Sequence, residues 1–276
     1  MKYTLPLLCL AALPLAAQDK QLNCDERSFG GSRARFCEIR EQTIPSAGRL
    51  AIDGRPNGGM SVKAWDRADV LVRSKVQSQG DNDGDAKALA AQVIIHATGG
   101  QVAADGPSGK PWSVSYEVFV PRQTDLNLTA RNGGIRIEHV RGNIEFVTQN
   151  GGVHLTRVAG NVKGRTQNGG VHVELAGNHW DGAGLDVKTQ NGGVHVEMPA
   201  GYSAHLDAST VNGGVRGDFP ELTGQKRQRQ VSRDLNGGGA PLRLATVNGG
   251  RTPAEVFLRG RNARVDLIVA ESRSPQ

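Results

Sequence analysis

A short phrase built on Asn-Gly-Gly recurs along the chain, and this recurrence constrains the fold more than any other feature. Three copies read Thr-Gln-Asn-Gly-Gly-Val-His followed by Leu or Val, and they begin at Thr148, Thr166 and Thr189. The asparagines of the phrase are Asn132, Asn150, Asn168, Asn191, Asn212 and Asn248. The first four spacings between them are 18, 18, 23 and 21 residues. Recurrence at a nearly fixed period indicates a repeat architecture.

Apolar and polar residues alternate between these corners. Ile135 and Ile137 follow one corner, and Ile144 and Phe146 follow the next. Alternation with a period of two is typical of β-strands that bury one face. A second corner stands about ten residues into each unit, at Gly142-Asn143, Gly160-Asn161 and Gly177-Asn178. Each unit is therefore predicted to run strand, corner, strand, corner.

Two architectures fit such a unit. In a β-solenoid each unit forms one coil, and coils stack about 4.8 Å apart by parallel pairing. In an antiparallel meander each Asn-Gly would be a hairpin turn. Stacking explains why Thr and Asn recur, since each column would meet its own copies, and Asn also tolerates left-handed dihedrals. We predict an all-β, single-stranded parallel β-solenoid (β-helix) over residues 131–250.

The segments on either side are predicted to close the ends of this solenoid. Residues 38–130 read as a β-rich N-terminal capping region with one short helix, Asp85–Ala91, which Asp85 would cap. Its predicted strands are Arg49–Asp53, Met60–Trp65, Val70–Val76, Gln92–Ala97, Trp112–Val120 and Asp125–Thr129. Residues 251–276 read as a C-terminal cap or tail, with closing strands at Val256–Leu258 and Val265–Val269.

The N-terminus predicts export. Lys2 is followed by the apolar stretch Leu5–Leu15 and by small residues, so residues 1–17 read as a signal peptide and Gln18 as the first mature residue. No later segment has the length of a membrane span. The expected location is the periplasm, the cell surface or the medium. In residues 18–37, Cys24 and Cys37 are predicted to form a disulfide; two free thiols are the alternative.

One polar column carries the main candidate site. His154, His172 and His195 follow the same valine in three units, and Glu174 and Glu197 stand two positions later. Because the flanking apolar residues point inward, these side chains point outward as a surface patch. Imidazole and carboxylate groups bind zinc, but a solvated polar face is the simpler interpretation. We therefore assign no metal, no cofactor and no catalytic residue.

Two other charged sets bear on function. An outward column holds Glu145, Lys163, Asp186 and Asp207. If Asp186 and Asp207 are neighbours, they would supply the paired carboxylates that polysaccharide cleavage requires. Surface charge is the simpler interpretation. A basic run comprises Lys226, Arg227, Arg229 and Arg233. An exposed polar loop is the simpler interpretation of this run. If the run binds a partner, export favours an anionic envelope polysaccharide or another surface protein rather than nucleic acid.

The serial Thr-x-Asn-Gly-Gly-Val-x-Val phrase, the Val-x-Gly corner and the β-rich lead-in with Gly58-Gly-Met-Ser-Val-Lys-Ala-Trp65 resemble the bacterial "putative adhesin" family of β-strand-repeat proteins. The resemblance covers roughly residues 38–250. It implies an exported, non-enzymatic protein that presents an adhesin-like or envelope-associated interaction surface. A periplasmic sensor or scaffold that binds a protein partner, or a β-helix enzyme acting on polysaccharide, is the alternative. The sequence leaves the oligomeric state open.

Overall fold

The computed structural model describes residues 22–24, 33–54, 57–220, 222, 228–248 and 254–261. In these ranges the chain is all-β with one helix. The lead-in contains β1 Ala34–Pro45, β2 Arg49–Asp53, β3 Met60–Trp65, β4 Asp69–Gly80, α1 Asp83–Ala91, β5 Ile94–Thr98, β6 Gln101–Asp105, β7 Trp112–Pro121, β8 Asp125–Asn132 and β9 Ile135–Glu138. The later strands are β10 Arg141–Asn150, β11 Val153–Thr156, β12 Ala159–Asn168, β13 Val171–Glu174, β14 Gly184–Asn191, β15 Val194–Pro199, β16 Ala204–Gly217, β17 Gln230–Leu235, β18 Pro241–Asn248 and β19 Ala254–Arg261.

The strands form two walls that meet along the Asn-Gly-Gly corners. The centre of wall 1 is parallel, in the order β2, β8, β10, β12, β14, β18, β16. The centre of wall 2 is also parallel, in the order β3, β9, β11, β13, β15, β19 and the end of β16. Because β16 contributes to both walls, the described strands form one 19-stranded sheet. Inward side chains from both walls form one apolar core.

The predicted single-stranded parallel β-solenoid is wrong, because the sheet is mixed. Four strand pairs are antiparallel: β1–β4, β4–β7, β5–β6 and β16–β17. The parallel strands also depart from chain order, since β18 lies between β14 and β16. The physical reason is the hairpin partner β17, which occupies one edge of β16. The next parallel strand, β18, therefore pairs with the opposite edge of β16 and separates it from β14.

The asparagines of the phrase form a hydrogen-bonded ladder between successive strands of wall 1. Each side-chain Nδ2 donates to the Oδ1 of a neighbouring asparagine, with N–O distances of 2.7–3.3 Å. The ladder runs Asn57, Asn132, Asn150, Asn168, Asn191, Asn248, Asn212. Non-glycine residues with positive φ in the described chain are His139, Arg157 and Asn236. The corner asparagines therefore serve for pairing rather than for left-handed backbone.

Threonine completes four of the corners from the inside. The buried hydroxyl of Thr166 donates to the carbonyl of Gly151 at 2.8 Å, and that of Thr189 donates to Gly169 at 2.7 Å. Thr148 and Thr246 make the equivalent bonds to Gly133 and Gly192. A buried carbonyl group without a partner is costly, so these four threonines satisfy the corner backbone of the adjacent strand. The buried hydroxyl of Thr210 makes no such bond within the described residues.

The first glycine of the phrase is required by a close backbone approach. A Cβ added at Gly151 would overlap the carbonyl oxygen of Gly133, and a Cβ at Gly169 would overlap that of Gly151. Gly192 stands in the same relation to Gly169. Successive corners can therefore stack only if this position carries no side chain.

Antiparallel strands cover the N-terminal edge of wall 2. β7 pairs with β3 in parallel, β4 pairs antiparallel with β7, and β1 pairs antiparallel with β4. Arg73 of β4 links all three outer strands, since its Nε lies 2.7 Å from Glu41 Oε1 and its Nη1 also pairs with the buried Glu117. Such coverage protects strands that would otherwise offer a free edge.

The disulfide and the helix are attached to this edge. Cys24 and Cys37 form the predicted disulfide, which ties the N-terminal segment to β1. The helix begins two residues earlier than predicted, because the Asn82 side chain, not Asp85, caps it by accepting from the Asp85 amide at 3.0 Å. The predicted strand Val256–Leu258 lies within β19. The signal peptide 1–17, Gln18 and Val265–Val269 lie outside the described residues.

Replacement of Gly151 by Ala tests the close approach. We expect the free energy of unfolding to fall by about 1–3 kcal/mol, because the added methyl group meets backbone rather than a movable side chain. Urea denaturation followed by circular dichroism measures the change. Gly201→Ala is the matched control, since a Cβ there meets nothing within 4 Å. Equal midpoints for the two variants would contradict the steric argument.

Replacement of Asn168 by Ala tests the ladder. The variant loses two side-chain hydrogen bonds, to Asn150 and from Asn191. At about 0.5–1.5 kcal/mol each, their loss should cost about 1–3 kcal/mol and lower the calorimetric melting temperature. Gln167→Ala changes the adjacent exposed residue and should shift stability by less than about 0.5 kcal/mol. A melting temperature for Asn168→Ala that matches the control would show that the ladder contributes nothing.

Candidate functional site

Wall 2 carries a continuous outward column of aromatic rings, which we call the histidine column. Parallel register places His154 beside His172, His172 beside His195, and His195 beside Phe257. The centroids of the His172 and His195 rings are 5.0 Å apart, and those of His195 and Phe257 are 5.2 Å apart, both pairs being stacked. His154 and His172 are 5.7 Å apart and tilted. The three histidines predicted as a patch are thus brought together.

Phe257 in this column was not predicted. In chain order, the residue at the equivalent position of the next unit after His195 is Arg216. However, β19 lies between β15 and β16 and brings Phe257 between those two residues. At the other end of the histidines, Arg136 lies beside His154. Partial burial, reinforced by Arg136 and His172, holds the pKa of His154 below its usual value. His154 is therefore mainly neutral at neutral pH.

A second outward column runs two residues further along the same strands. Glu174 of β13 lies beside Glu197 of β15, which in turn lies beside Arg259 of β19. Nε2 of His195 is 3.2 Å from Oε1 of Glu197, whereas Arg157 Nη2 lies 3.9 Å from Glu174 Oε1. The predicted patch is therefore one surface of imidazole rings bordered by carboxylates.

A cavity of about 740 Å³ lies at the N-terminal edge of wall 2, beside the disulfide. We call it the disulfide cavity. Its described lining contains four cationic side chains and two aromatic ones, and no carboxylate. These six residues are Arg33, Arg35, Lys75, Lys110, Phe36 and Trp112. Its volume lies in the range of clefts that bind small ligands, about 300–1,000 Å³.

Several contacts fix the walls of the disulfide cavity. Nε1 of Trp112 donates to the carbonyl of Pro107 at 2.9 Å, and the indole lies where a Cβ of Gly106 would be. Phe36 pairs with Ser78, the β4 residue that also pairs with Trp112, so both aromatic residues flank one strand. The disulfide holds Cys24 against β1. The cavity is therefore built on paired strands with a covalent anchor.

A polar cluster joins β16 to its hairpin partner β17. His205 Nδ1 lies 2.6 Å from Asp234 Oδ1, and its Nε2 lies 3.4 Å from Asp207 Oδ1. Ser232 Oγ donates to Asp207 Oδ1 at 2.7 Å and is 3.4 Å from His205 Nε2. The hydrogen bond to Asp234, together with Asp207, raises the pKa of His205.

Serine, histidine and aspartate side chains also form hydrolase triads, but the chemistry of this cluster differs. In a triad the two ring nitrogens of the histidine contact one carboxylate and the serine, whereas both ring nitrogens of His205 lie against carboxylates. Ser232 is also hydrogen-bonded to a carboxylate. The cluster is therefore suited to clamping β17 onto β16.

The acids that an enzyme would need in the other outward column are not neighbours. Arg243 of β18 lies between Asp186 and Asp207, with its Nε 3.9 Å from Asp207 Oδ2. Of the basic run, Lys226 and Arg227 lie outside the described residues. Arg229 and Arg233 are exposed on or next to β17. The described part of this run therefore lies beside wall 1, away from the histidine column on wall 2.

The sequence missed the disulfide cavity and the His205 cluster. Both depend on antiparallel pairing with strands that do not carry the Asn-Gly-Gly phrase, so the sequence pattern does not indicate which strands pair. The cysteines gave a signal for the location of the cavity, but not for Lys75 or Lys110, which lie far from them in sequence.

Among the described residues, no helix has the length and hydropathy needed to cross a membrane.

Comparison with known proteins identifies a family and several distant folds. A family model described as Toastrack DUF4097 matches residues 55–250. The crystal structure of a putative cell adhesion protein from Clostridium sporogenes ATCC 15579 is 10% identical, with 82% of this chain and 100% of that chain covered and a TM-score of 0.42.

Two further solved structures are similar over comparable lengths. A putative adhesin from Bacteroides fragilis NCTC 9343 is 9% identical, with 80% of this chain and 97% of that chain covered and a TM-score of 0.35. A putative lipid binding protein from Parabacteroides distasonis ATCC 8503 is 9% identical, with 82% and 97% covered and a TM-score of 0.27. No curated protein matches the sequence.

The His205 cluster predicts a pH-dependent attachment of β17. Because the pKa of His205 is raised in the folded chain, its stabilising contribution is complete below the ordinary histidine value of 6.5 and is lost as pH rises through the folded pKa. We expect β17 amides to exchange hydrogen for deuterium faster at pH about 9 than at about 6, after correction for intrinsic rates.

His205→Gln is the matched variant, since it keeps a polar side chain of similar length without the titration. Its corrected exchange in β17 should not change between the two pH values. If the unmodified chain shows the same flat profile, the cluster does not hold the strand through the imidazolium.

Proposed function

We propose that this chain, which belongs to the Toastrack DUF4097 family, is an exported, non-enzymatic, adhesin-like protein of the cell envelope that binds acidic polysaccharide. The observation that carries the proposal is the disulfide cavity, where Arg33, Arg35, Lys75 and Lys110 converge beside two aromatic side chains. Convergent cations in a concave site favour a ligand that carries several negative charges.

The charge of the cavity indicates the class of ligand. Arginine and lysine side chains form charge-assisted hydrogen bonds with carboxylate, sulfate and phosphate groups. A cleft also focuses the electric field of its lining charges, which attracts a polyanion from a distance. Repeated anionic groups along a polysaccharide would engage Lys75 on β4 and Lys110 in the loop before β7 at once, which a single small anion would do less well.

The aromatic side chains add a second requirement. Phe36 and Trp112 supply apolar surface within the cleft, and binding clefts typically combine such surface with a few polar groups that set orientation. The Trp112 indole is held by Pro107, so its face is presented without further ordering. A sugar ring, with apolar C–H faces and charged substituents, has both features that this lining favours.

Two features support the remaining parts of the proposal. The Cys24–Cys37 disulfide supports export, since disulfides persist in oxidising compartments. The His205 cluster and the separation of Asp186 from Asp207 by Arg243 support a binding role over hydrolysis. The predicted signal peptide, residues 1–17, would direct the chain to the envelope.

Binding to polygalacturonate, compared with neutral dextran, tests the proposal. We expect the purified chain to bind the acidic polymer, with an affinity that falls as salt rises. Lys75→Ala/Lys110→Ala should weaken binding about tenfold, equivalent to about 1.4 kcal/mol. Isothermal titration calorimetry at two salt concentrations measures both effects.

Lys163→Ala/Arg165→Ala is the matched control, because it removes the same charge from exposed positions on β12 of wall 1. Its affinity should stay near that of the unmodified chain. Equal losses in the two double variants would indicate net charge rather than the cavity, and absence of binding to polygalacturonate would refute the proposal.

A further inference from the structure

Three potential metal ligands converge on the outward face of wall 2. One ligating atom from each of His172, His195 and Glu197 lies within 4.8 Å of the other two. Nε2 of His195 is already 3.2 Å from Oε1 of Glu197. The His172 and His195 rings are stacked with an angle of 14° between their planes. Because a bound ion lies in the plane of each ligating imidazole, the His172 ring must rotate out of the stack to share an ion with His195. These contacts lie outside the disulfide cavity and play no part in the proposed polysaccharide binding.

The backbone fixes this arrangement. His172 of β13 and His195 of β15 are register partners on adjacent parallel strands, and Glu197 follows His195 by two residues on the same face. The intervening Val173 and Val196 are fully buried. Because β13 and β15 are held by the core and by their parallel backbone pairing, the three side chains start from nearly fixed Cα positions. This lowers the entropy cost of joining them.

The distances suit a small transition-metal ion. Zinc binds imidazole nitrogen at about 2.0–2.1 Å and carboxylate oxygen at about 2.0–2.2 Å. Tetrahedral geometry then separates ligand atoms by about 3.4 Å. The His195–Glu197 pair lies close to that separation, and side-chain rotation at His172 closes the remaining gap. With His195 34% exposed and Glu197 13% exposed, solvent can reach the site and supply a fourth ligand.

We propose that His172, His195 and Glu197 bind one Zn²⁺ ion on the outer face of wall 2. Two imidazole nitrogens and one carboxylate form a donor set that zinc and neighbouring late transition metals prefer. Calcium and magnesium prefer all-oxygen sites, so they should bind here far more weakly. The bound ion would link β13 to β15 and place a fixed positive charge in the histidine column.

The groups around the site set its charge. Glu174, in register with Glu197, adds a carboxylate next to the site, while Arg259 lies beside Glu197 on β19. Phe257 stacks on His195 from the β19 side and shields that ring from solvent. An aromatic neighbour of this kind restricts the orientation of the ligating imidazole.

Calorimetric titration of the chelator-treated full chain with ZnCl₂ tests this site. We expect one Zn²⁺ per chain, and at least tenfold weaker binding in both His172→Ala/His195→Ala and Glu197→Gln. CaCl₂ and MgCl₂ should give no comparable heat. Replacement of zinc by Co²⁺ should produce visible absorption bands of a four-coordinate ion, and those bands should disappear in Glu197→Gln.

His96→Ala/His179→Ala is the matched control, because it removes two histidines away from wall 2's outer column and should bind Zn²⁺ as the unmodified chain does. Circular dichroism checks that each variant is folded, and the near-isosteric Glu197→Gln keeps the test decisive if the double histidine variant unfolds. Zinc binding that is absent, or unchanged in Glu197→Gln, would overturn the proposal. Lys75→Ala/Lys110→Ala should keep its zinc affinity, so failure of this site and failure of polysaccharide binding are distinguishable.

Discussion

The close stacking of Asn-Gly-Gly corners is the constraint on which the rest of the structure depends. At four successive corners the first glycine, Gly133, Gly151, Gly169 or Gly192, lies against the carbonyl of the glycine in the adjacent strand, where no Cβ fits. This approach lets the asparagine amides bond outside the corner and the threonine hydroxyls bond inside it. Since both bonds fix neighbouring strands in one register, every other side chain is placed directly beside its counterpart.

That fixed register produces the functional surface. A histidine that would be isolated on a single strand becomes part of a stacked column when three strands carry it at the same position. The same effect places Glu174 beside Glu197. Columns of like residues concentrate one chemistry on a rigid face, which is what an ion site or an extended binding surface needs.

The antiparallel strands at the ends of the walls determine the cationic cavity and the strand order, which the parallel strands alone would not produce. β1, β4 and β7 cover one edge and, with the disulfide, enclose the cationic cavity. β17 covers one edge of β16 and is held there by His205. Because β17 occupies that edge, β18 and β19 insert next to β14 and β15, and Phe257 and Arg243 enter columns where the chain order predicts other neighbours.

The sequence by itself determined the local structure: the period, the strands between corners, the inward and outward faces, the disulfide and the grouping of His154, His172 and His195. These follow from alternation and from residues whose role is local, such as glycine at a corner without room for Cβ. Only the tertiary structure decided the order of the strands, the mixed sheet, the disulfide cavity and the contacts of His205. Each Asn-Gly-Gly corner offers the same hydrogen-bonding groups, so the sequence cannot specify which copies pair. That choice depends on which strand edges are already occupied.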